Sequence, residues 1–234
     1  MLSTYTFSQF LTPFFLFFVR NPGLESIDYD FVVEDLPKIM SSMQVGTNRI
    51  RSIVLSLRNF SRLDEAENKS VDLHEGIDNT LLILQHRLKP NGTFSGIEII
   101  KDYGELPKIE CYAGQMNQVF MNVINNAIDV LSPESGKNIA HPTIRISSQV
   151  STNNTHILVN IADNGPGIRK EVQQRIFDPF FTTKPVGKGT GLGLAISYQI
   201  VVEKHGGLME CISEPGKGTE FWIEIPLKFS TVDR

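Results

Sequence analysis

Four glycines alternate through Gly187-Lys188-Gly189-Thr190-Gly191-Leu192-Gly193, and the chain then runs straight into an apolar segment. Glycine inside a helix or strand costs roughly 0.5–1 kcal/mol relative to alanine. Four so close together therefore suit a backbone that must bend or lie against something. From Leu192 to Lys204 there is no proline and, after Gly193, no glycine, so a helix fits that run. A glycine loop feeding a helix N-terminus turns free N–H groups and the positive end of the helix dipole toward an anion, which is how proteins cradle phosphate. A plain flexible loop has the same composition, and the loop alone leaves both readings open.

Three further groups bear chemistry. Gln118, Asn122, Asn126 and Asp129 recur at helical spacing on one face, with Asn125 beside them. Asparagine is a mediocre helix former, and a merely solvated face would normally carry Glu and Lys, so these amides suit the wall of a ligand site. Asp163-Asn164-Gly165-Pro166-Gly167-Ile168 follows an alternating run and puts a carboxylate at a strand end, beside two glycines that admit a close approach. Phe177, Phe180 and Lys184 precede the glycine loop, and Gly216-Lys217-Gly218-Thr219 follows it.

The elements that must position these groups are legible in outline. Met116, Val119, Phe120, Val123, Ile124, Ala127, Ile128 and Leu131 form the apolar stripe of a helix over 115–131, opposite the amides. A helix over 78–89 has Ile77, Leu81, Leu82, Leu84 and Leu88 as core candidates. Strands are expected over 96–103, 143–150 and 156–162, a short helix over 171–177, and a hairpin of 208–213 with 219–227. Before them, Leu36, Met43, Ile50 and Leu57, with Ile39, Gly46, Ile53 and Phe60, make an a/d seam over residues 35–62. This long helix is expected to pair with another, in a dimer's bundle. Residues 1–29 form an atypical Phe-rich segment, 30–63 the long helix, 64–70 a polar linker, and 71–229 the main folded unit.

Composition narrows the class. A net charge of −4 argues against nonspecific nucleic-acid binding. Cys111 and Cys211 are too few for a metal site of their own and suit buried free thiols in a reducing compartment. No stretch reaches the ~18 apolar residues of a membrane span, and no Gly-x-x-x-x-Gly-Lys-Ser/Thr motif is present.

Taken in order, the amide helix, Asp163-x-Gly165-x-Gly167, Phe177-x-x-Phe180, the glycine loop and Gly216-x-Gly218-Thr219 resemble the N, G1, F, G2 and G3 boxes of the GHKL superfamily, specifically of two-component sensor histidine kinases. The resemblance covers about residues 70–228, and Phe31 to Arg62 looks like the second helix of that family's dimerisation domain. It implies an α+β fold, the Bergerat-type two-layer α/β sandwich with a mixed, mostly antiparallel sheet, behind a long coiled-coil-like helix. It implies ATP and Mg²⁺ as cofactors, with Asn126 on the metal and Asn122 helping to hold the phosphates and metal. Asp163 would accept from the adenine amino group, where guanine presents a carbonyl oxygen. Thr219 would hold the water around Asp163. Gly165, Gly167, Ile168, Phe180, Lys184, Lys188, Gly189, Gly191, Leu192 and Gly193 would complete the ATP site, with Phe177 and Phe180 packing the base of a lid that only nucleotide orders. A response regulator receiver domain, a homodimer and a cytoplasmic location belong to the same expectation.

One part of the family pattern is missing. The phosphoacceptor motif, His-Glu/Asp-x-x-Asn/Thr-Pro, does not occur around His74, His86, His141, His156 or His205. His74-Glu75 comes nearest but lacks the proline and follows the long helix. The acceptor histidine is therefore expected on another chain's dimerisation domain, or on a longer form of this one. The alternatives are a nucleotide-binding dimeric regulatory module without phosphotransfer, and another GHKL ATPase of the gyrase, chaperone or mismatch-repair kind.

Overall fold

A computed structural model describes residues 35–48, 50, 69–92, 94–133, 139–185 and 187–227. It divides into two units, 1–48 and 49–234. In the first, residues 35–48 are helical (α1), with Lys38 Nζ 3.0 Å from the Asp35 carboxylate. Of the described seam positions of that unit, Leu36, Ile39 and Met43 are exposed, as are Met40 and Val45, and Gly46 is half-buried. The rest of the seam in 51–60 and the Phe-rich segment lie outside the described residues.

The second unit is built on a five-stranded sheet ordered β2-β4-β5-β7-β6, where β2 is Glu98–Tyr103, β4 Thr143–Val150, β5 His156–Asp163, β6 Leu208–Glu214 and β7 Gly218–Pro226. Only the β2–β4 pair is parallel. Alternation decides which face is covered: Ile157, Val159 and Ile161 of β5 and Phe221, Ile223 and Ile225 of β7 are buried. The antiparallel register sets Asp163 opposite Thr219, so the end of β5 meets the start of β7.

Against this sheet lies α3 (Ala113–Leu131), with all eight residues of the expected apolar stripe buried. Beside it runs α2 (Leu73–Leu88), which starts five residues before the expected 78. The Asp72 carboxylate caps it, accepting from the His74 N–H at 2.9 Å. Gly76 does not break it: a Cβ there would come within 2.5 Å of Asn117 Oδ1, so this glycine is a close contact between α2 and α3. Leu82, expected in the core, is 61% exposed.

Two other expectations change. Lys69–Val71 (β1) pairs antiparallel with Ile109–Cys111 (β3), a small second sheet that includes two residues assigned to the linker. The short helix is one turn, Lys170–Gln173 (α4). The helix after the glycine loop is α5, Gly193–Tyr198, continued by a wider π-helical segment, Gln199–Lys204. His205 closes that segment. It is buried, its Nδ1 lies 2.8 Å from the Ile200 carbonyl, and its Nε2 accepts from the Tyr112 N–H at 3.3 Å. An Nδ1–H tautomer satisfies both contacts, and burial lowers the imidazole pKa, so the neutral ring is the folded form.

Candidate functional site

One cavity of about 980 Å³ opens between α3, the end of β5, the start of β7 and the chain from Phe181 to Leu194. Asn122, Asn126, Asp163, Gly167, Ile168, Lys184, Lys188, Gly189, Gly191, Gly193 and Thr219 all line it. Gly165, Phe180 and Leu192 are not on its wall.

Asp163 is 9% exposed and stands at the last position of β5. Its Oδ1 accepts from the Gly165 N–H at 2.8 Å, and the Thr219 backbone supplies a second donor. Burial pushes the carboxyl pKa up to about 6 against those two hydrogen bonds. The glycines around it answer to contacts. At Gly167 (φ 70°) a Cβ would run into the Glu214 carbonyl, and at Gly218 (φ 93°) into the Asp163 carbonyl. Ser213 ties these turns together: its hydroxyl donates to Gly218 O at 2.6 Å and accepts from the Ile168 N–H at 2.8 Å. With its one proton spent on Gly218, Ser213 takes the Thr219 hydroxyl, 3.1 Å away, as donor. Thr219 then offers only lone pairs toward the cavity, beside an acceptor carboxylate. This end of the site is built to meet hydrogen-bond donors.

The other end is made of side chains. Asn122 Nδ2 donates to Gly193 O at 2.9 Å and to Ser197 Oγ at 3.1 Å, fastening α3 to the start of α5. Lys184 Nζ donates to Asn126 Oδ1 at 3.1 Å and to Asp129 Oδ2 at 2.5 Å. Arg87, from the last turn of α2, donates to Asn125 Oδ1 at 2.7 Å and to Asp129 Oδ1 at 2.6 Å. Asp129 was legible from its spacing with the asparagines. Arg87 was not, because nothing in α2 pointed to the cavity, and Ser213 was an ordinary strand residue.

The aromatic expectation needs correction. Phe177 does pack against the core, 5.1 Å from the Tyr198 ring. Phe180 does not: it is 66% exposed with a left-handed backbone (φ 66°), and its neighbour Phe181 faces the cavity. The reason is Gly191 (φ 68°), where a Cβ would strike the Phe180 backbone. The glycine loop lies directly on that peptide and leaves no room for the ring beneath it. At Gly189 a Cβ would come within 2.6 Å of Thr182 Oγ1. Gly189 and Gly191 thus serve close packing on Phe180–Lys184.

A two-layer α/β sandwich with a mostly antiparallel sheet, a buried carboxylate at a strand end and a glycine loop across the same cavity define a nucleotide-binding catalytic domain of the GHKL type. Residues 112–229 match the family described as "Histidine kinase-, DNA gyrase B-, and HSP90-like ATPase", and the chain belongs to it. Its relatives are sensor histidine kinases. It is 35% identical over 198 residues to the sensor kinase CckA of Brucella abortus, covering 81% of this chain and 20% of that one. It is 32% identical over 188 residues to the sensory histidine kinase/phosphatase NtrB of Azospirillum brasilense, covering 77% and 44%. The catalytic domain of histidine kinase ThkA superposes with a TM-score of 0.58 at 28% identity, over 69% of this chain and 99% of that domain. The chain thus spans less than half the length of these curated relatives. Among the described residues no helix is long and apolar enough to cross a membrane.

Proposed function

We propose that this cavity binds ATP with Mg²⁺ and delivers the γ-phosphoryl group to a histidine of a dimerisation domain, for onward transfer to a response regulator receiver domain. The observation that carries the reading is Asp163, a buried acceptor fixed by two backbone donors in the same cavity as Asn122, Asn126, Lys184 and the glycine loop. An adenine amino group satisfies that acceptor. A guanine carbonyl faces it with like polarity and leaves it unmet, which costs roughly 1–3 kcal/mol.

The donor set at the other end fits Mg²⁺. Asn126 Oδ1 and Asp129 Oδ2 already converge on one cationic group, the Lys184 ammonium. Among the described residues no three His, Cys, Asp or Glu side chains gather in one place. A dication here would rest on Asn126, beside Asp129, and on phosphate and water oxygens, which is how Mg²⁺ is usually held. When bound, it draws charge from the triphosphate. Asn122 holds α5 and the loop to α3, so the loop backbone faces the phosphates from a fixed place. Lys184 and Lys188 meet them as point charges. Catalysis is then positioning: an imidazole nitrogen attacks phosphorus in line, a P–N bond forms as the P–O bond to ADP breaks, and the imidazole proton passes to a base on the acceptor domain.

No histidine lines the cavity. His74 is committed to Ser148 Oγ at 2.7 Å and stacks on Tyr103 with centroids 4.2 Å apart. These contacts support the reading that the acceptor histidine belongs to a separate dimerisation domain. Incubation with labelled ATP and Mg²⁺, with and without such a domain from a sensor kinase, tests the reading. Acid-labile label on that domain is the expected result. ATP binding without label on any partner would overturn phosphotransfer and leave a nucleotide-binding regulatory module.

A further inference from the structure

A carboxylate in a triphosphate site is an anomaly. Asp129 faces the cavity between two cations, Arg87 at 2.6 Å and Lys184 at 2.5 Å. Arg87 also holds Asn125, so Asp129 is fixed from the α2 side. On the cavity side, Lys184 joins Asp129 Oδ2 to Asn126 Oδ1. This oxygen pair seats one cation. An ammonium and a dication cannot share it, since like charges within a few ångströms repel.

We propose that Asp129 is a specificity-determining residue that makes the cavity select metal-bound over metal-free nucleotide. The inference rests on the nucleotide-binding reading above. Its logic is exchange. A nucleotide that brings Mg²⁺ puts a dication against Asn126 and Asp129 and releases Lys184, which turns its charge to the phosphates. The oxygen pair loses one cation and gains another, and no charge is left unmatched. A metal-free nucleotide can draw Lys184 away too, but it leaves the Asp129 carboxylate facing a tetra-anion with only Arg87 behind it. Arg87 is a positioning residue here: it stops Asp129 from turning away with Lys184. Neither Asp129 nor Arg87 needs to touch the transferred group.

The test is equilibrium binding of a fluorescent ATP analogue to the full chain, once in excess Mg²⁺ and once in EDTA. In Asp129→Asn the metal-free arm tightens, and the ratio between the two arms narrows by roughly fivefold, the scale of one partly exposed charge. The Mg²⁺ concentration giving half-maximal binding at fixed nucleotide rises in the same variant. It falls in Lys184→Met, which frees the oxygen pair from its competitor. Asp129→Glu restores the native ratio. An unchanged ratio in Asp129→Asn, or parallel weakening of both arms, overturns the inference and leaves Asp129 a structural link. Should Asp129→Asn not fold, the direction of the Mg²⁺ midpoint in Lys184→Met decides, and a midpoint that rises or stays put overturns it. Absence of binding by the native chain in both arms is a separate result that brings down the nucleotide reading itself.

Discussion

The two ends of the cavity are held in different ways. The end around Asp163 is built from backbone: a buried carboxylate takes N–H groups from Gly165 and Thr219, and Gly167 and Gly218 press against carbonyls of neighbouring turns. The end around Asn126 is built from long side chains, with Lys184 and Asp129 each about one-third exposed. Backbone contacts cannot move without the sheet, so the first end can discriminate between ligands by the fixed place of one acceptor. The second can exchange partners, as recognition of a mobile, highly charged triphosphate requires. On the proposed reading, selectivity and charge capture sit on separate supports.

The sharpest way to break this contrast is to damage the backbone end. Gly167→Ala forces a Cβ into the Glu214 carbonyl at a φ that L side chains rarely adopt. A loss of about 3 kcal/mol or more in stability is expected, read by thermal or denaturant unfolding, together with loss of nucleotide binding. Native stability in this variant would mean that the turn is as pliable as the lysine end.

Asp163→Asn separates function from stability at the same place. ATP binding should weaken by roughly tenfold to a hundredfold, the cost of an adenine amino group without its acceptor, as measured by calorimetry. Stability should move the other way. The carboxyl pKa is raised from 3.8 to about 6 in the fold, so the folded protein holds a proton that the unfolded chain has released. Its contribution therefore falls as pH rises from about 4 to 6, and the full cost stands above that window. The variant should be more stable than the native protein by up to about 3 kcal/mol near neutral pH, and the gain should vanish by about pH 4. A variant that is both less stable and unimpaired in binding would remove Asp163 from the adenine reading altogether. In the native chain, ATP affinity should also drop as pH falls through about 6, as Asp163 takes up its proton. That drop should be shallower in Asp163→Asn, where only the nucleotide titrates.

Much of this contrast was legible in the sequence. The α3 stripe and the amide face opposite it follow from 3.6-residue periodicity, and Asp163 follows from strand alternation that ends in glycines. What escaped has physical reasons. Three-residue strands such as β1 and β3 carry too little pattern to be read. The first turn of α2 was missed, and a sequence does not say that a glycine such as Gly76 admits a neighbouring helix where it could have bent the chain. Phe180 was expected, with Phe177, at the base of a lid through the family resemblance, yet its backbone is left-handed and its ring is exposed. Arg87 and Lys184 meet at Asp129 from positions 97 residues apart (184 − 87 = 97), and only tertiary structure brings them together.

The smallest effect tests the charged end by its response to salt. Lys188 lines the cavity from the glycine loop, and the proposed reading gives it to the phosphates as a point charge. Its removal in Lys188→Ala should weaken ATP binding only a few-fold at low ionic strength, since an exposed charge pair is worth about 0–1 kcal/mol. The difference should shrink further at high salt, as the Debye length falls to about 3 Å at 1 M. The Asp163→Asn deficit should persist in the same buffers, because a buried hydrogen bond is barely screened. If both deficits shrank together, the two ends would be electrostatic in the same sense. Their different construction, backbone against side chain, would then have no bearing on how the ligand is held.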